Sequence, residues 1–377
     1  MKKPEDVHSP TPASLGFRMP AEWERHQATW LGWPHNRTDW PGKLSPIHWV
    51  YAEIVRKLAP GEVVRVLVNS ASHQGHAKRF LERAGVDLSR IEFFRFKTNR
   101  GWTRDFGPIF VSRAARRSEI AIVRFQFNAW AKYKDWEKDQ RIPELAAHRL
   151  GYKIFKPRAN GREVVLEGGS IDVNGRGTLL TTEECLLDSR TQVRNPGLSG
   201  RDMERVFREY LGAANVLWLG RGIAGDDTHG HIDDVCRFVG NQTVVLCREK
   251  NAHDENYRPL EENRERLQGM RLEDGTRIDV VPLPMPSPLH FDGRRLPASY
   301  ANFYIANDVV LAPTFNDPND RIALGVLAEL FPSRQVVGIH AVDLVWGLGT
   351  IHCMTQQQPV DDSPQNRVTS PSGNDTP

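Results

Sequence analysis

Apolar residues recur along the chain as compact runs and as amphipathic stretches, and the two patterns alternate from about residue 17 to residue 359. Val63–Val68 is a compact run typical of a buried strand. Ser45–Leu58 repeats its apolar residues at helical spacing and is followed by Pro60-Gly61, which ends a helix. The same criteria predict helices at Ser45–Leu58, Ala71–Ala84, Glu137–Leu150, Ser199–Leu211, Pro259–Gly269 and Arg321–Leu330.

Strands are predicted between these helices. They are Val63–Val68, Ile91–Phe96, Ile120–Phe127, Tyr152–Lys156, Val164–Val173, Thr178–Thr182, Val216–Leu219, Val235–Val239, Thr243–Arg248, Ile278–Leu283, Phe303–Ile305, Val309–Ala312 and Val336–Ile339. A strand-like run around Cys353 closes the pattern. Because no linker rich in Gly, Ser or Pro divides the chain, we expect one mixed α/β domain over residues 17–359. Residues 1–16 are expected to form a loose arm and residues 360–377 a disordered tail.

Composition and charge exclude several classes of protein. Hydrophobic residues make up 39% and charged residues 26% of the 377 residues, as in globular proteins that bury a core. The 50 basic and 47 acidic residues are interspersed, which argues against a nucleic-acid-binding face. No apolar run is long enough to span a bilayer, and no secretory signal is visible. The four cysteines are widely spaced, so we expect a reducing, cytoplasmic location rather than a disulfide framework.

Chemistry-bearing residues concentrate in separate stretches of this background. Cys353 is a candidate nucleophile, although a free cysteine is often only a small buried hydrophobe. Glu167 interrupts an apolar strand before two glycines, which fits either a paired buried acid or a solvent-facing bulge. Asp105 stands beside Arg104 and before a Gly-Pro turn, where the two could also form a surface ion pair.

The stretch Gly225–Asp234 is the richest in titratable groups. On an extended backbone the side chains of His229, His231 and Asp233 point to one face. One hypothesis makes Cys353 the nucleophile and His231 the general acid/base. The alternative is a metal-dependent hydrolase in which His229, His231 and Asp233 hold a divalent ion. A binding protein without catalysis is disfavoured, because core structure rarely gathers imidazoles, acids and a thiol.

Seven segments, in this order, resemble the agmatine deiminase family, which is related to the Porphyromonas-type peptidyl-arginine deiminases. They are MPAEWERHQATWLGWPHN, WTRDFGP, EGGSIDVNGRGTLLTTEECLL, GDDTHGHIDD, RLPASYANFYIAN, PTFNDPND and GLGTIHCMTQQQP. The resemblance implies the pentein fold, a five-bladed pseudo-symmetric α/β propeller with the site in its central channel. It also implies a metal-free and cofactor-free hydrolase of polyamine metabolism that converts agmatine to N-carbamoylputrescine and ammonia, as in putrescine biosynthesis.

The same resemblance assigns roles to individual residues. Cys353 corresponds to the nucleophile that forms a covalent amidino intermediate, and His231 to the general acid/base. Asp105 and Asp233 correspond to the carboxylates that bind the guanidinium, and Glu167 to an acid that contacts the histidine. Trp102 is expected to contact the substrate.

The substrate's far end is less well defined by the sequence. His229-Gly230 stands where several family members have Asn-Gly, which leaves peptidyl or free arginine as alternative substrates. Asp227 and residues of the tryptophan-rich N-terminal segment are the candidates for contact with the far end of the substrate. Asp39 is a further candidate there, with the start of a turn as its alternative role. The expected partner is a small guanidinium compound rather than nucleic acid or a membrane, and assembly into homo-oligomers stays open.

Overall fold

The computed structural model describes residues 10–114 and 118–361, so the first nine residues of the expected arm and residues 362–377 of the expected tail lie outside it. Its strands are β1 His26–Gly32, β2 Val63–Leu67, β3 Ile91–Phe94, β4 Ile109–Arg113, β5 Glu119–Val123, β6 Lys153–Phe155, β7 Arg158–Ala159, β8 Arg162–Glu163, β9 Asp172–Val173, β10 Thr178–Thr182, β11 Asn215–Leu219, β12 Cys236–Phe238, β13 Thr243–Arg248, β14 Asp279–Pro284, β15 His290–Phe291, β16 Arg294–Arg295, β17 Tyr304–Ile305, β18 Val309–Thr314, β19 Gln335–His340 and β20 Thr355–Pro359. Its α-helices are α1 Leu44–Leu58, α2 Ala71–Arg83, α3 Thr103–Phe106, α4 Ile142–Leu150, α5 Glu183–Leu187, α6 Gly200–Val206, α7 Tyr257–Gly269, α8 Asn319–Leu330 and α9 Ile351–Met354.

The larger sheets share one connectivity. Within the described ranges there are five sheets of three or four strands, in the orders β20-β1-β2-β3, β4-β5-β6, β9-β10-β11, β12-β13-β14 and β17-β18-β19. In each, an antiparallel pair is followed by a parallel one; β5, for example, is antiparallel to β4 and parallel to β6. A helix connects the two strands of each parallel pair, as parallel pairing requires. The fold is therefore mixed α/β, as predicted. It also repeats one unit, an antiparallel pair followed by a parallel pair, which is not visible as a repeat in the amino-acid sequence.

Hydrophobic periodicity explains how the helices pack on the sheets. In α1 the buried residues include Ile47, Tyr51, Ile54 and Leu58, which return to one face at helical spacing. Each large apolar side chain that is fully buried contributes about 1.5–3 kcal/mol relative to exposure. The core is continuous across most sheets, with a second cluster of buried residues around β4, β5 and β10. No helix in the described ranges is long and apolar enough to cross a membrane.

The predicted helices are confirmed to within a few residues at most ends, but three local predictions are wrong. Val164–Val173 is not one strand, because a 3₁₀ turn at Gly168–Ser170 interrupts it. Cys353 lies in the short helix α9 rather than in a strand. The stretch after His229 is not extended, since His229 has a φ of +65° and Ile232–Asp234 forms a 3₁₀ turn. The prediction also missed β1, because its tryptophan Trp30 lies among further tryptophans and prolines that resemble turn punctuation.

Candidate active site

One cavity of about 170 Å³ brings together several of the predicted site residues. Trp102, Asp105, Asp227 and Cys353 line it, although they come from three distant parts of the sequence. The rest of its lining consists of Thr38, Asp39, Pro41, Arg100, Trp130, Tyr133, Thr228, Arg294, Trp346, Gly347, Leu348 and Gly349. Glu167, His231 and Asp233 are buried directly behind this lining, where His231 lies beside Asp105 and Asp233 beside Cys353.

Cys353 is held at the cavity by Asn302. The Asn302 side-chain amide donates to Cys353 Sγ at 3.1 Å, and its carbonyl oxygen accepts from the backbone of α9. The thiol faces Asp233 Oδ2 at 3.7 Å. Burial raises the pKa of the Cys353 thiol well above its usual range, and the carboxylates of Asp233 and Asp105 add to the rise. Without a bound cation, the sulfur is therefore a neutral thiol at neutral pH.

Asp233 has one anchored oxygen and one free oxygen. Its Oδ2 accepts a hydrogen bond of 2.7 Å from His352 Nδ1, whereas its buried Oδ1 has no hydrogen-bond partner. His352 Nε2 lies 2.8 Å from Glu22 Oε2. The His352 ring therefore bridges two buried carboxylates, Asp233 and Glu22. Burial opposes ionisation of Asp233, but His352 and His231 outweigh it and lower the pKa of this carboxyl.

Asp105 is positioned from two sides. Trp130 Nε1 donates to its Oδ2 at 2.8 Å, and the backbone N–H of Gly169 donates to its Oδ1 at 3.0 Å. Each oxygen therefore keeps acceptor capacity for a further donor. Burial raises the pKa of Asp105 to about 6, and the nearby Asp233 contributes in the same direction, while His231 opposes it.

His231 lies between two groups of acids. Its Nδ1 is 3.8 Å from Asp105 Oδ1 and 3.9 Å from Asp233 Oδ1, and its Nε2 is 3.8 Å from Glu167 Oε2. Both ring nitrogens are buried without a hydrogen-bond partner. They are therefore free to form hydrogen bonds with a bound molecule, or with the nearby carboxylates after a small shift of the ring. Burial opposes its charge, but Asp105 and Glu167 hold the pKa of His231 well above its usual range.

Glu167 is confirmed as a buried, paired acid rather than a solvent-facing bulge. Arg194 Nε donates to Glu167 Oε1 at 3.2 Å, and both side chains are completely buried. Burial opposes ionisation of Glu167, yet Arg194 and His231 outweigh it and lower its pKa to about 2. Glu167 is therefore a permanent negative charge behind His231.

Glycines make this close packing possible. A Cβ on Gly169 would lie 2.6 Å from His231 Nδ1, 2.8 Å from Asp105 Oδ1 and 3.1 Å from Asp233 Oδ2. Gly169 thus occupies the centre of the acid and imidazole group. A Cβ on Gly349 would lie 3.1 Å from both Cys353 Sγ and Trp102, so this glycine lets the indole of Trp102 approach the thiol.

The metal-site hypothesis fails in its predicted form, because His229 turns away from His231. His229 Nε2 pairs with Asp188 Oδ2 at 2.8 Å. Within the described part of the chain, a different set of side chains has the spacing of metal ligands. The potential ligand atoms of Glu167, Cys185 and His231 all lie within 4.8 Å of one another. His231 and Asp233 do converge as predicted, with 3.9 Å between Nδ1 and Oδ1, but a turn rather than an extended strand brings them together.

Sequence reasoning missed several residues that position the site. Trp130 holds Asp105 from an unusual conformation, since Ala129, Trp130 and Ala131 all have positive φ angles. Asn302 lies in the segment RLPASYANFYIAN, but nothing in the amino-acid sequence indicates its contact with Cys353. His352 is a further residue of this kind, because α9 directs its ring to Asp233. A search for polar residues flanking the candidate thiol could have found His352.

The arrangement as a whole can hold a flat cation against a thiol. Two buried carboxylates have free acceptor capacity: Asp233 lies beside the sulfur, and Asp105 lines the same cavity as Cys353. The imidazole of His231 lies within 4 Å of both carboxylates. A planar delocalised cation such as guanidinium matches two carboxylates better than a spherical ammonium group does.

Comparisons with known proteins agree with this geometry. The family model for Porphyromonas-type peptidyl-arginine deiminase matches residues 18–359. The agmatine deiminase of Ectopseudomonas mendocina is 35% identical to this chain, covering 93% of it and 97% of the relative. The structure of an Enterococcus faecalis agmatine deiminase catalysing its reaction superposes with a TM-score of 0.85 at 32% identity, covering 94% of this chain and 98% of the other. A C. jejuni agmatine deiminase variant with substrate bound has a TM-score of 0.79 at 29% identity, with 92% and 97% coverage. The chain belongs to the Porphyromonas-type peptidyl-arginine deiminase family.

Proposed function

We propose that this protein hydrolyses the guanidine group of agmatine to N-carbamoylputrescine and ammonia. The observation that carries the proposal is that Asp105 and Cys353 line one cavity and that Asp233 lies against the Cys353 thiol. Relatives that cover nearly the whole chain are agmatine deiminases, which supports agmatine as the substrate. The enzyme is thus a hydrolase of C–N bonds in linear amidines.

Binding of the guanidinium prepares both reactants. Its N–H groups donate to Asp105 and to the free Oδ1 of Asp233, which fixes the plane of the group and localises its charge. The same positive charge offsets the two carboxylates that hold the pKa of Cys353 up, so the thiol loses its proton to solvent as substrate binds. Trp102 borders the bound group.

The sulfur of Cys353 then attacks the guanidinium carbon and forms a C–S bond. Protonated His231 gives its proton to the departing nitrogen, the C–N bond breaks, and ammonia leaves. The product of this step is an amidino-thioether on Cys353. His231, now neutral, takes a proton from a water molecule, whose oxygen attacks the same carbon, and the C–S bond breaks to release N-carbamoylputrescine. Glu167 keeps the histidine oriented and charged for the first half.

Ammonia release from agmatine, free arginine and an arginine peptide, compared side by side, tests the proposal. We expect agmatine to have the highest kcat/KM, with the two arginine substrates as the competing candidates within the class. The isosteric changes Asp105→Asn and Asp233→Asn should each lower kcat/KM by at least about 100-fold, because charge-assisted pairs in a buried site are the strong ones. If none of the three compounds is hydrolysed faster than in buffer, the proposed reaction is wrong.

The wider predictions follow from the same assignment. The repeated order of an antiparallel and a parallel pair in the larger sheets supports a pseudo-symmetric five-bladed propeller around the site. We infer that residues 17–359 act as one catalytic domain and need no metal or organic cofactor. The free, buried cysteines fit a reducing, cytoplasmic location. The partner is a small guanidinium compound rather than nucleic acid, and homo-oligomers stay a prediction.

A further inference from the structure

Two carboxylates line the cavity without belonging to the group around His231. They are Asp39, from the loop after β1, and Asp227, from the loop before His231. Agmatine carries a primary ammonium at the end of its chain opposite the guanidinium, and a carboxylate is the natural partner for that charge. The structure distinguishes the two candidates by what already occupies their oxygens.

Asp227 has both oxygens engaged by protein groups. Lys132 Nζ pairs with Oδ1, and the Tyr133 hydroxyl donates to Oδ2 at 2.7 Å. The Lys132 ammonium already neutralises this carboxylate at the rim of the cavity. The ammonium of a substrate would therefore have to share Asp227 with the side chain of Lys132.

Asp39 has one engaged and one free oxygen. Arg100 donates to Oδ1, whereas Oδ2 is buried and has no hydrogen-bond partner. The side chain of Asp39 is only 1% exposed, so solvent does not satisfy Oδ2. A buried unsatisfied acceptor costs free energy, and it is unusual unless a ligand or water completes it. Burial raises the pKa of Asp39 to about 7 against the opposing effect of Arg100, and a bound ammonium would favour the ionised carboxylate further.

Arg100 cannot easily turn to cover that free oxygen. Its Nη2 is held by Asp135 at 3.0 Å, and its guanidinium lies 4.4 Å above the ring of Tyr133. When both are ionised, Asp39 and Asp135 carry one more negative charge than Arg100 supplies, so this group of three residues beside the cavity has a net negative charge. Arg294 also lines the cavity, but its side chain is exposed and its charge is screened by water.

We infer that Asp39 Oδ2 binds the distal ammonium of agmatine and makes the enzyme selective for guanidines with a terminal amine. This inference rests on the proposed function. Asp227 then contributes chiefly by holding Tyr133 in the wall of the cavity. The inference makes Asp39 a determinant of specificity rather than of the chemical step.

Two substrates of equal length separate the amine from the guanidinium. Agmatine and pentylguanidine differ only in that a methyl group replaces the terminal ammonium. Wild-type protein should prefer agmatine in kcat/KM, and Asp39→Asn should lower kcat/KM for agmatine by about 10- to 100-fold, the worth of one charged hydrogen bond. The kcat/KM for pentylguanidine should change less than about threefold, because the amide oxygen of the introduced asparagine still accepts from Arg100. Asp135→Asn, which removes the charge of the other partner of Arg100 outside the cavity lining, is the matched control and should keep the preference.

Calorimetry in a Cys353→Ser background provides a readout that does not depend on turnover. Agmatine should bind to that variant at least about tenfold more tightly than pentylguanidine, and Asp39→Asn should abolish the difference. Equal losses for both compounds would make Asp39 only a support for Arg100 and would overturn the inference. So would loss of the preference in Asp227→Asn but not in Asp39→Asn. If wild type released no ammonia from any guanidine, the proposed function would fail instead, and the binding difference would still decide the role of Asp39.

Discussion

Replacing Gly169 by alanine should inactivate the protein without unfolding it. The added Cβ would lie 2.6 Å from His231 Nδ1, about 0.8 Å inside the 3.4 Å where ordinary van der Waals contact begins. His231 and Asp105 would have to move apart by a similar amount. Displacements near 1 Å cost on the order of 100-fold in rate, so we expect kcat/KM for agmatine to fall about 100-fold, equivalent to about 2.7 kcal/mol.

The fold should tolerate this change. The φ angle of Gly169 is not in the left-handed region, so alanine meets no backbone strain there. Overpacking costs about 1–3 kcal/mol, which is less than the free energy of unfolding of most domains. Gly325→Ala is the control: this glycine lies inside α8 with open space at its Cβ position, so alanine should stabilise the protein by about 0.5–1 kcal/mol and leave kcat/KM unchanged.

Ammonia release measures activity in both variants, and thermal unfolding measures their stability. The reasoning about Gly169 would be refuted by a Gly169→Ala protein with kcat/KM within about threefold of wild type. A loss of activity that merely tracks unfolding would also count against it, because the argument concerns displaced side chains in a folded site.

Three further predictions concern Asp105 and the loop that holds it. Trp130→Phe removes the 2.8 Å donor to Asp105, so kcat/KM should fall at least about tenfold in steady-state assays; unchanged kinetics would contradict the positioning role. Because burial raises the pKa of Asp105 to about 6, kcat/KM should decline as the pH falls through about 6. The value of kcat should decline only at lower pH, because the bound guanidinium keeps the carboxylate ionised until then. A flat kcat/KM profile between about pH 5 and about pH 7 would refute this. Ala131→Gly relieves a φ of +53° and should raise the free energy of unfolding by about 0.5–1 kcal/mol, measured by denaturant titration, whereas destabilisation would show that the strain is absent.

The charged residues of the site could be predicted, because few structural roles suit a charge inside an apolar segment. An acid inside an apolar strand is costly unless it is paired, and Glu167 is indeed paired with Arg194. The alternation of helices and strands followed from apolar periodicity, and most helix ends agree to within a few residues. These inferences depend only on local chemistry.

The remaining features depend on contacts between distant segments. The hydrogen bond from Asn302 to Cys353 joins residues 51 positions apart, and no local pattern encodes it. The left-handed run at Ala129–Ala131 occurs at residues that usually avoid positive φ, so tertiary packing around Trp130 overrides local preference. The predicted side-chain direction of His229 was wrong because the argument assumed an extended backbone where the chain turns.

The central claim is that the Cys353 sulfur becomes covalently bonded to the guanidinium carbon. The direct measurement is mass spectrometry of protein that has been acid-quenched during turnover of agmatine and then digested. We predict a mass increase equal to agmatine minus ammonia on the peptide that contains Cys353, and its absence in Cys353→Ser. Rapid ammonia release with no such adduct, or a Cys353→Ser protein that turns over agmatine at the wild-type rate, would contradict the account.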